Sequence, residues 1–369
     1  MTTSSSSLTQ KVIQGRWIGK IMLILASVGV VWVIGNKAAE NPTLFVQQII
    51  NGLQLGFVYA LIALGYTMVY GIVRLINFAH GDVFMVGAFV SYYCVAKFGL
   101  HNWPSSVFPA LNPGLSILIG TITVILVSMI ICSIMTITIE RIAYKPLREA
   151  PRISALITAV GISFFLEYFG ALNFVFTPNF ITYKRPFEVI TYYVNRGIFQ
   201  LEKGMAPPPG SIIFTNIFII IAVISLGLLI LLQFIVRRTK IGKAMRSSAY
   251  DKPTSRLMGI NVDNIITVTF GIGASLAGAA GMLYAIAFPS IVFWMGITPG
   301  LKAFVAAVLG GIGSIPGALV GALIMGQAET LTAAYISTPM RDAIAFTLLI
   351  LVLMIRPTGI FGEPEREKA

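Results

Sequence analysis

The sequence is short of charge. Only 11% of its residues are Asp, Glu, Lys or Arg, where a soluble domain carries about 25%. A chain this poor in charge cannot cover itself with polar surface on every side, so the two soluble domains that 369 residues would ordinarily suggest are excluded. Acidic residues are the scarcer sign, 14 against 26 Lys and Arg, for a net charge of +12. In a soluble protein that excess would point to nucleic acid. Here the basic residues gather in short segments between apolar runs, as on the cytoplasmic side of membrane proteins, and no nucleic-acid partner is expected. Cysteine is limited to Cys94 and Cys132, both inside apolar runs, which reads as small buried hydrophobes and excludes a disulfide framework or a cysteine metal centre. The two histidines, His80 and His101, have no evident carboxylate or cysteine partners. The chain lacks G-x-x-x-x-G-K-[ST], HExxH and GxSxG, so a phosphate cradle, a hydrolytic zinc and a serine nucleophile are all missing. No enzyme, metal site or bound cofactor is expected.

What is present is apolar length. Hydrophobic residues make up 56% of the chain and mean hydropathy is +0.86. A spanning helix needs about 20 mostly apolar residues. Runs at 17–35, 50–72, 81–98, 114–139, 153–176, 213–236, 265–288 and 343–356 qualify, predicting an all-α polytopic integral membrane protein with about eight spans. Residues 1–16 read as a disordered polar tail, 17–356 as one transmembrane domain and 357–369 as a second tail. The basic residues before 21–35 also suit a signal peptide, but the stretch around Lys37 is a poor cleavage site, and an uncleaved first span is expected.

Loop 140–152 holds four Lys or Arg, and loop 237–264 is richer still, whereas 99–113 and 289–299 hold none. The first two are therefore assigned to the cytoplasm, and the long 177–212 loop to the other side. Segment 300–330 reads differently: its apolar halves, 301–309 and 318–326, flank Gly310, Gly311, Gly313, Pro316 and Gly317. Glycine and proline at that density break a helix, so a re-entrant or two-half hairpin is predicted, each half too short to cross alone. With it, both termini fall in the cytoplasm. The small residues of 271–281 predict close helix packing.

Ion-coupled carriers place ionisable groups in mid-membrane. Glu167 reads as the one acidic residue well inside a span, with Glu329 near the end of the hairpin, so a neutral or zwitterionic solute moved by an external energy source is expected. The candidate path residues are the polar ones in apolar spans, Asn51, Gln54, Tyr66, Asn77, Thr158, Ser163 and Glu167. The alternative at each is an interhelical hydrogen bond. Asn77 and His80 are placed at a cytoplasmic helix end, as gate or cap. In loop 237–264, Ile241, Met245 and Ala249 are grouped on one helical face among basic residues. That describes either a helix lying on anionic lipid or a knob seated in a partner, and Met245→Asp is expected to uncouple the knob without preventing insertion.

Several motifs in order carry a resemblance. Asn51-Gly52-Leu53 with Tyr59 to Gly65, Leu75-Ile76-Asn77-Phe78-Ala79-His80-Gly81-Asp82, Glu140 to Arg148, Gly242 to Asp263, Leu309 to Ala318 and Arg356 to Gly362 are together similar to the permeases of branched-chain amino acid ABC importers, over about 48–362. The resemblance implies a distinct second permease, two cytoplasmic ATPases that hold ATP and Mg, an extracytoplasmic solute-binding protein, and alternating access in a bacterial inner membrane without a tight site in the bilayer. It implies a coupling role for Ile241, Gly242, Ala244, Met245, Arg246, Ala249, Asp251 and Gly259. The N-terminal span and the 177–212 loop, with Pro207-Pro208-Pro209-Gly210, exceed the usual form. Related permeases carry urea or short amides, and an ATP-independent channel or secondary carrier is the reading from another class.

Overall fold

The computed structural model describes residue 29 and residues 32–362 except 149, 196, 203 and 357. Twelve α-helices are numbered here among these residues, after a helical stretch at 32–40: α1 Pro42–Val73, α2 His80–Tyr92, α3 Trp103–Val107, α4 Pro113–Ile139, α5 Arg152–Gly170, α6 Asn216–Arg238, α7 Lys240–Tyr250, α8 Lys252–Leu257, α9 Val262–Ala287, α10 Ile297–Gly310, α11 Ile315–Tyr335 and α12 Arg341–Ile355. Six of the described helical segments are long and apolar enough to cross a membrane, seven if the bent pair beginning with α2 is one span. The predicted spans from 50–72 to 343–356 correspond to α1, α2, α4, α5, α6, α9 and α12; the predicted 17–35 span lies mostly outside the described residues.

The helix starts follow from local chemistry. Asn41 and Asn112 stand immediately before a proline, and their side chains accept from the Leu44 and Gly114 N–H groups. Asp251 and Ser314 do the same for Thr254 and Gly317, each with proline in the first turn. Such caps satisfy N–H groups that a helix start otherwise leaves open, and proline costs nothing there.

The core is the packing of α1, α2, α4, α9, α10 and α11, and its seams are made of small residues. A Cβ on Gly281 of α9 would overlap the Phe84 carbonyl of α2, and one on Gly326 of α11 would lie 2.5 Å from the Gly52 carbonyl of α1. Backbone contact at this range is how helices associate where lipid removes the hydrophobic drive. By contrast α6 and α12 bury little of themselves and present faces such as Val223, Ile230 and Phe234 outward.

The 300–330 hairpin is larger than its sequence implies. Its second limb, α11, runs 21 residues, Ile315–Tyr335, about 31 Å at 1.5 Å per residue. It is therefore long enough to cross, and only the 14-residue α10 is short. The break lies where expected: Gly310 ends α10, Gly311 and Gly313 take φ of 103° and 98°, and Pro316 opens α11. Part of the stretch read as a tail is docked on this tip, where Ile360 and Phe361 donate to the Leu309 and Gly310 carbonyls.

The connecting segments sort onto two faces. The 177–212 loop carries a three-stranded antiparallel sheet, order β3-β2-β4, from Ile198–Gln200, Thr191–Val194 and Ile212–Thr215. Its start, β1 Ile181–Thr182, pairs with β5 Ser290–Ile291, so the 177–212 and 289–299 segments share one face. The 140–152 and 237–264 loops share another, tied by an Arg148–Asp263 ion pair.

Candidate functional site

The face that holds the basic loops encloses a cavity of about 520 Å³, bordered by Arg74, Glu140, Tyr144, Arg148, Lys252, Arg256 and Asp263. Arg148 organises it. One guanidinium nitrogen pairs with Glu140, which is fully buried, and the other with Asp263 at 2.5 Å. The second Glu140 oxygen accepts from the Thr267 hydroxyl at 2.7 Å. Burial, and then the nearby charges of Arg148, Arg74 and Arg256, hold the Lys252 ammonium below its ordinary lysine value.

Beside this cavity stands the two-helix element α7–α8. The face grouped from sequence is divided by the fold: Met245 is 1% exposed and packs inward with Gly242 and Ser248, whereas Ile241 is 46% exposed. The reason is register. Positions 242, 245 and 248 follow the 3.6-residue period as well as 241, 245 and 249 do, and α7 turns the former set toward α1, α6 and α9. Asp251 caps α8, Arg246 donates to the Val236 carbonyl, and Ala244 and Ala249 lie along the same short helix. Gly259, at φ 79°, turns the chain into α9. The exposed apolar side chains at the tip are Leu257 and Met258, at 88% and 78%.

A second, smaller cavity of about 170 Å³ lies deeper, where α1, α2, α5 and α10 meet. Tyr66, Phe78, Asp82, Ser163 and Phe304 are among its walls. His80 does stand at a helix end, as the first residue of α2, but that end is buried within the bundle. The imidazole packs against Gly65, eight residues before the end of α1, hence about 12 Å into the protein. The chain from Arg74 to Ala79 climbs back inside, and α2 begins there. Asp82 is consequently buried, 1% exposed, with one oxygen accepting from the Ser163 hydroxyl. Glu167, on the same face of α5 one turn on, is also buried. Asn77 accepts from the Tyr144 hydroxyl at 2.7 Å. Tyr144 borders the larger cavity and Phe78, next to Asn77 in the chain, borders the smaller.

Tyr66, Ser163 and, one turn away, Glu167 are thus brought together, with Asn77 beside them. Asn51 and Gln54 are not. Asn51 is exposed among Gln47 and Gln48, 15 residues and about 22 Å along α1 from Tyr66. Thr158 returns its hydroxyl to the Ser154 carbonyl at 2.9 Å.

Glu167 is not alone among buried acids: Asp82, Glu140 and Glu329 are buried too, and so is Lys302 of α10, at 3%. Lys302 Nζ lies 2.6 Å from Glu329 of α11 and 2.6 Å from Asp342 of α12, and the Tyr59 hydroxyl of α1 donates to Glu329 at 2.9 Å. The ammonium joins three helices directly, and Glu329 ties in α1 as the fourth. Among the described residues no group of three or more His, Cys, Asp or Glu is placed to hold a metal ion.

The sequence model of the family described as branched-chain amino acid transport system, permease component, matches residues 48–353. The high-affinity branched-chain amino acid transport system permease protein LivH of Salmonella typhimurium is 40% identical over 330 residues, 89% of this chain and 99% of that protein. LivH of Escherichia coli K12 is 39% identical over 331 residues, again 89% and 99%. The permease protein BraD of Pseudomonas aeruginosa is 39% identical over 327 residues, 88% and 98%. No solved structure matches the chain. On that coverage and identity, the chain belongs to the family of branched-chain amino acid transport system permease components.

Proposed function

We propose that this chain is the membrane-spanning permease subunit of an ATP-driven importer of branched-chain and other neutral amino acids in a bacterial inner membrane. It works with a second, related permease, two cytoplasmic ATPases and an extracytoplasmic solute-binding protein. The face formed by 140–152 and 237–264 is cytoplasmic on the basic-residue rule, and the face formed by 177–212 and 289–299 meets the binding protein. ATP and Mg belong to the ATPases, and the solute crosses by alternating access along the α1–α2–α5–α10 side of the bundle. The relatives named above are branched-chain amino acid permeases, which favours that solute over urea. The charged groups inside the bundle are mostly bonded to one another, which disfavours an ion-coupled carrier.

The observation that carries the coupling role is the shape of α7–α8. Its base is anchored by buried Met245, while Leu257 and Met258 project almost fully exposed. An anchored element with an apolar tip transmits force, and a helix lying on lipid would turn its apolar face to the membrane instead. The test is Leu257→Asp with Met258→Asp in the complete importer. The subunit is expected to insert and to bind its partner permease, while binding-protein-stimulated ATP hydrolysis and uptake both fall at least about tenfold, the low end for losing two apolar anchors from an interface. Normal stimulated uptake by the double variant would sink the coupling assignment.

A further inference from the structure

The smaller cavity has a composition that packing alone does not call for. Its volume of about 170 Å³ is more than ten times the roughly 10–15 Å³ that admits one water, so a small organic solute fits. No Lys or Arg lines it. Asp82 faces it with Oδ2 bonded by Ser163 and Oδ1 without any hydrogen-bond partner. An unpaired buried carboxylate oxygen is costly, and a cationic donor would complete it. Glu167, buried one turn on from Ser163 along α5, is the other carboxyl on this side of the cavity. The facing wall is different. Ile297, Leu301 and Phe304 are apolar, and they belong to the first turns of α10, whose N-terminal residues Gly296 and Gly300 line the same space. No side chain caps that helix start; the Ile297 N–H donates to the Trp294 carbonyl and Pro299 has none, so what this end offers the cavity is the positive end of the helix dipole.

We propose that this cavity is a transit site for an amino acid zwitterion: Asp82 Oδ1 accepts from the α-ammonium, the N-terminus of α10 faces the α-carboxylate, and Ile297, Leu301 and Phe304 receive the aliphatic side chain. The inference rests on the permease reading and adds to it a charged head-group site inside the bilayer. Urea can donate N–H groups to Asp82 but brings neither a positive charge nor an aliphatic side chain for the apolar wall, so the site favours the zwitterion over it.

The experiment uses the complete importer in proteoliposomes, with labelled leucine uptake scored per ATP hydrolysed. Asp82→Asn keeps the volume and a bond to Ser163 but loses the charge; Ser163→Ala removes only the Oδ2 partner. Uptake per ATP is expected to fall at least about tenfold in Asp82→Asn, the low end for losing a hydrogen bond to a charged group, and clearly less in Ser163→Ala. Leu301→Trp, which fills the apolar wall and leaves the Asp82 carboxyl in place, is expected to lower leucine uptake as well, and it decides the matter if Asp82→Asn does not assemble with its partners. Wild-type stoichiometry in Asp82→Asn, equal losses in Asp82→Asn and Ser163→Ala, or unchanged leucine uptake in Leu301→Trp would overturn the site while leaving the permease reading intact. Failure of the wild-type complex to move leucine would instead defeat the permease reading.

Discussion

Replacing Lys302 by methionine removes a charge and keeps most of the volume, and the surroundings set the size of the effect. Lys302 Nζ holds Glu329 and Asp342, each at 2.6 Å. Without it, Asp342, whose side chain is 54% exposed, regains water. Glu329, at 6%, does not; it keeps only the Tyr59 hydroxyl at 2.9 Å and a distant Arg341 Nε at 3.7 Å. Stranding one partner of a buried ion pair costs about 3–5 kcal/mol. The Arg341 contact places this case near the lower end, roughly 3 kcal/mol. Removing both charges, Lys302→Met with Glu329→Gln, leaves no ion to desolvate, so the double variant should lose about 1 kcal/mol or less. The assay is equilibrium unfolding of the purified subunit in mixed micelles of rising SDS content, run as a double-mutant cycle. A Lys302→Met cost under about 1 kcal/mol, or a double variant whose loss is the sum of the singles, would refute the reasoning.

Two further outcomes follow from the face formed by 140–152 and 237–264. Met245→Asp, which the sequence suggested would only uncouple an inserted subunit, would instead bury an unpaired carboxylate at a position 1% exposed, at a cost of several kcal/mol, so the folded subunit should be lost from the membrane, as a fractionation blot would show; normal accumulation would mean that Met245 is not packed as described. For Lys252, burial and the neighbouring arginines disfavour the charged form in the fold. Stability attributable to this group therefore rises as pH climbs from the depressed value towards that of an ordinary lysine, and acylation of Lys252, followed by mass spectrometry against pH, should set in at lower pH than for a lysine in a free peptide. A profile at the free-peptide position would show that neither burial nor the arginines depress it.

The chain's punctuation and apolar length made most of the architecture readable. Asn41-Pro42, Asn112-Pro113 and Ser314-Ile315-Pro316 mark helix starts, and Gly310 to Gly317 marks the hairpin tip. The basic loops were legible as neighbours through charge alone, and Arg148–Asp263 is where they meet. Lys302 was not legible. One lysine in the apolar stretch 301–309 leaves the average high, and its partners lie 27 and 40 residues on, across two helix breaks. Asp82 was missed for a related reason: a turn after α1 reads as a membrane edge, and only packing of His80 on Gly65 shows that α2 starts inside. The side of α7 that faces the bundle depends on tertiary contacts, since two overlapping stripes through Met245 fit a helix equally well.

The most direct test of the central claim is uptake of labelled leucine into proteoliposomes holding this chain with its partner permease and ATPases, binding protein added outside and ATP enclosed. Uptake that needs ATP, the binding protein and this chain together, with labelled urea left outside, is the result expected. Leucine entry without ATP would point to a channel or carrier, and entry of urea in place of leucine would contradict the assigned solute.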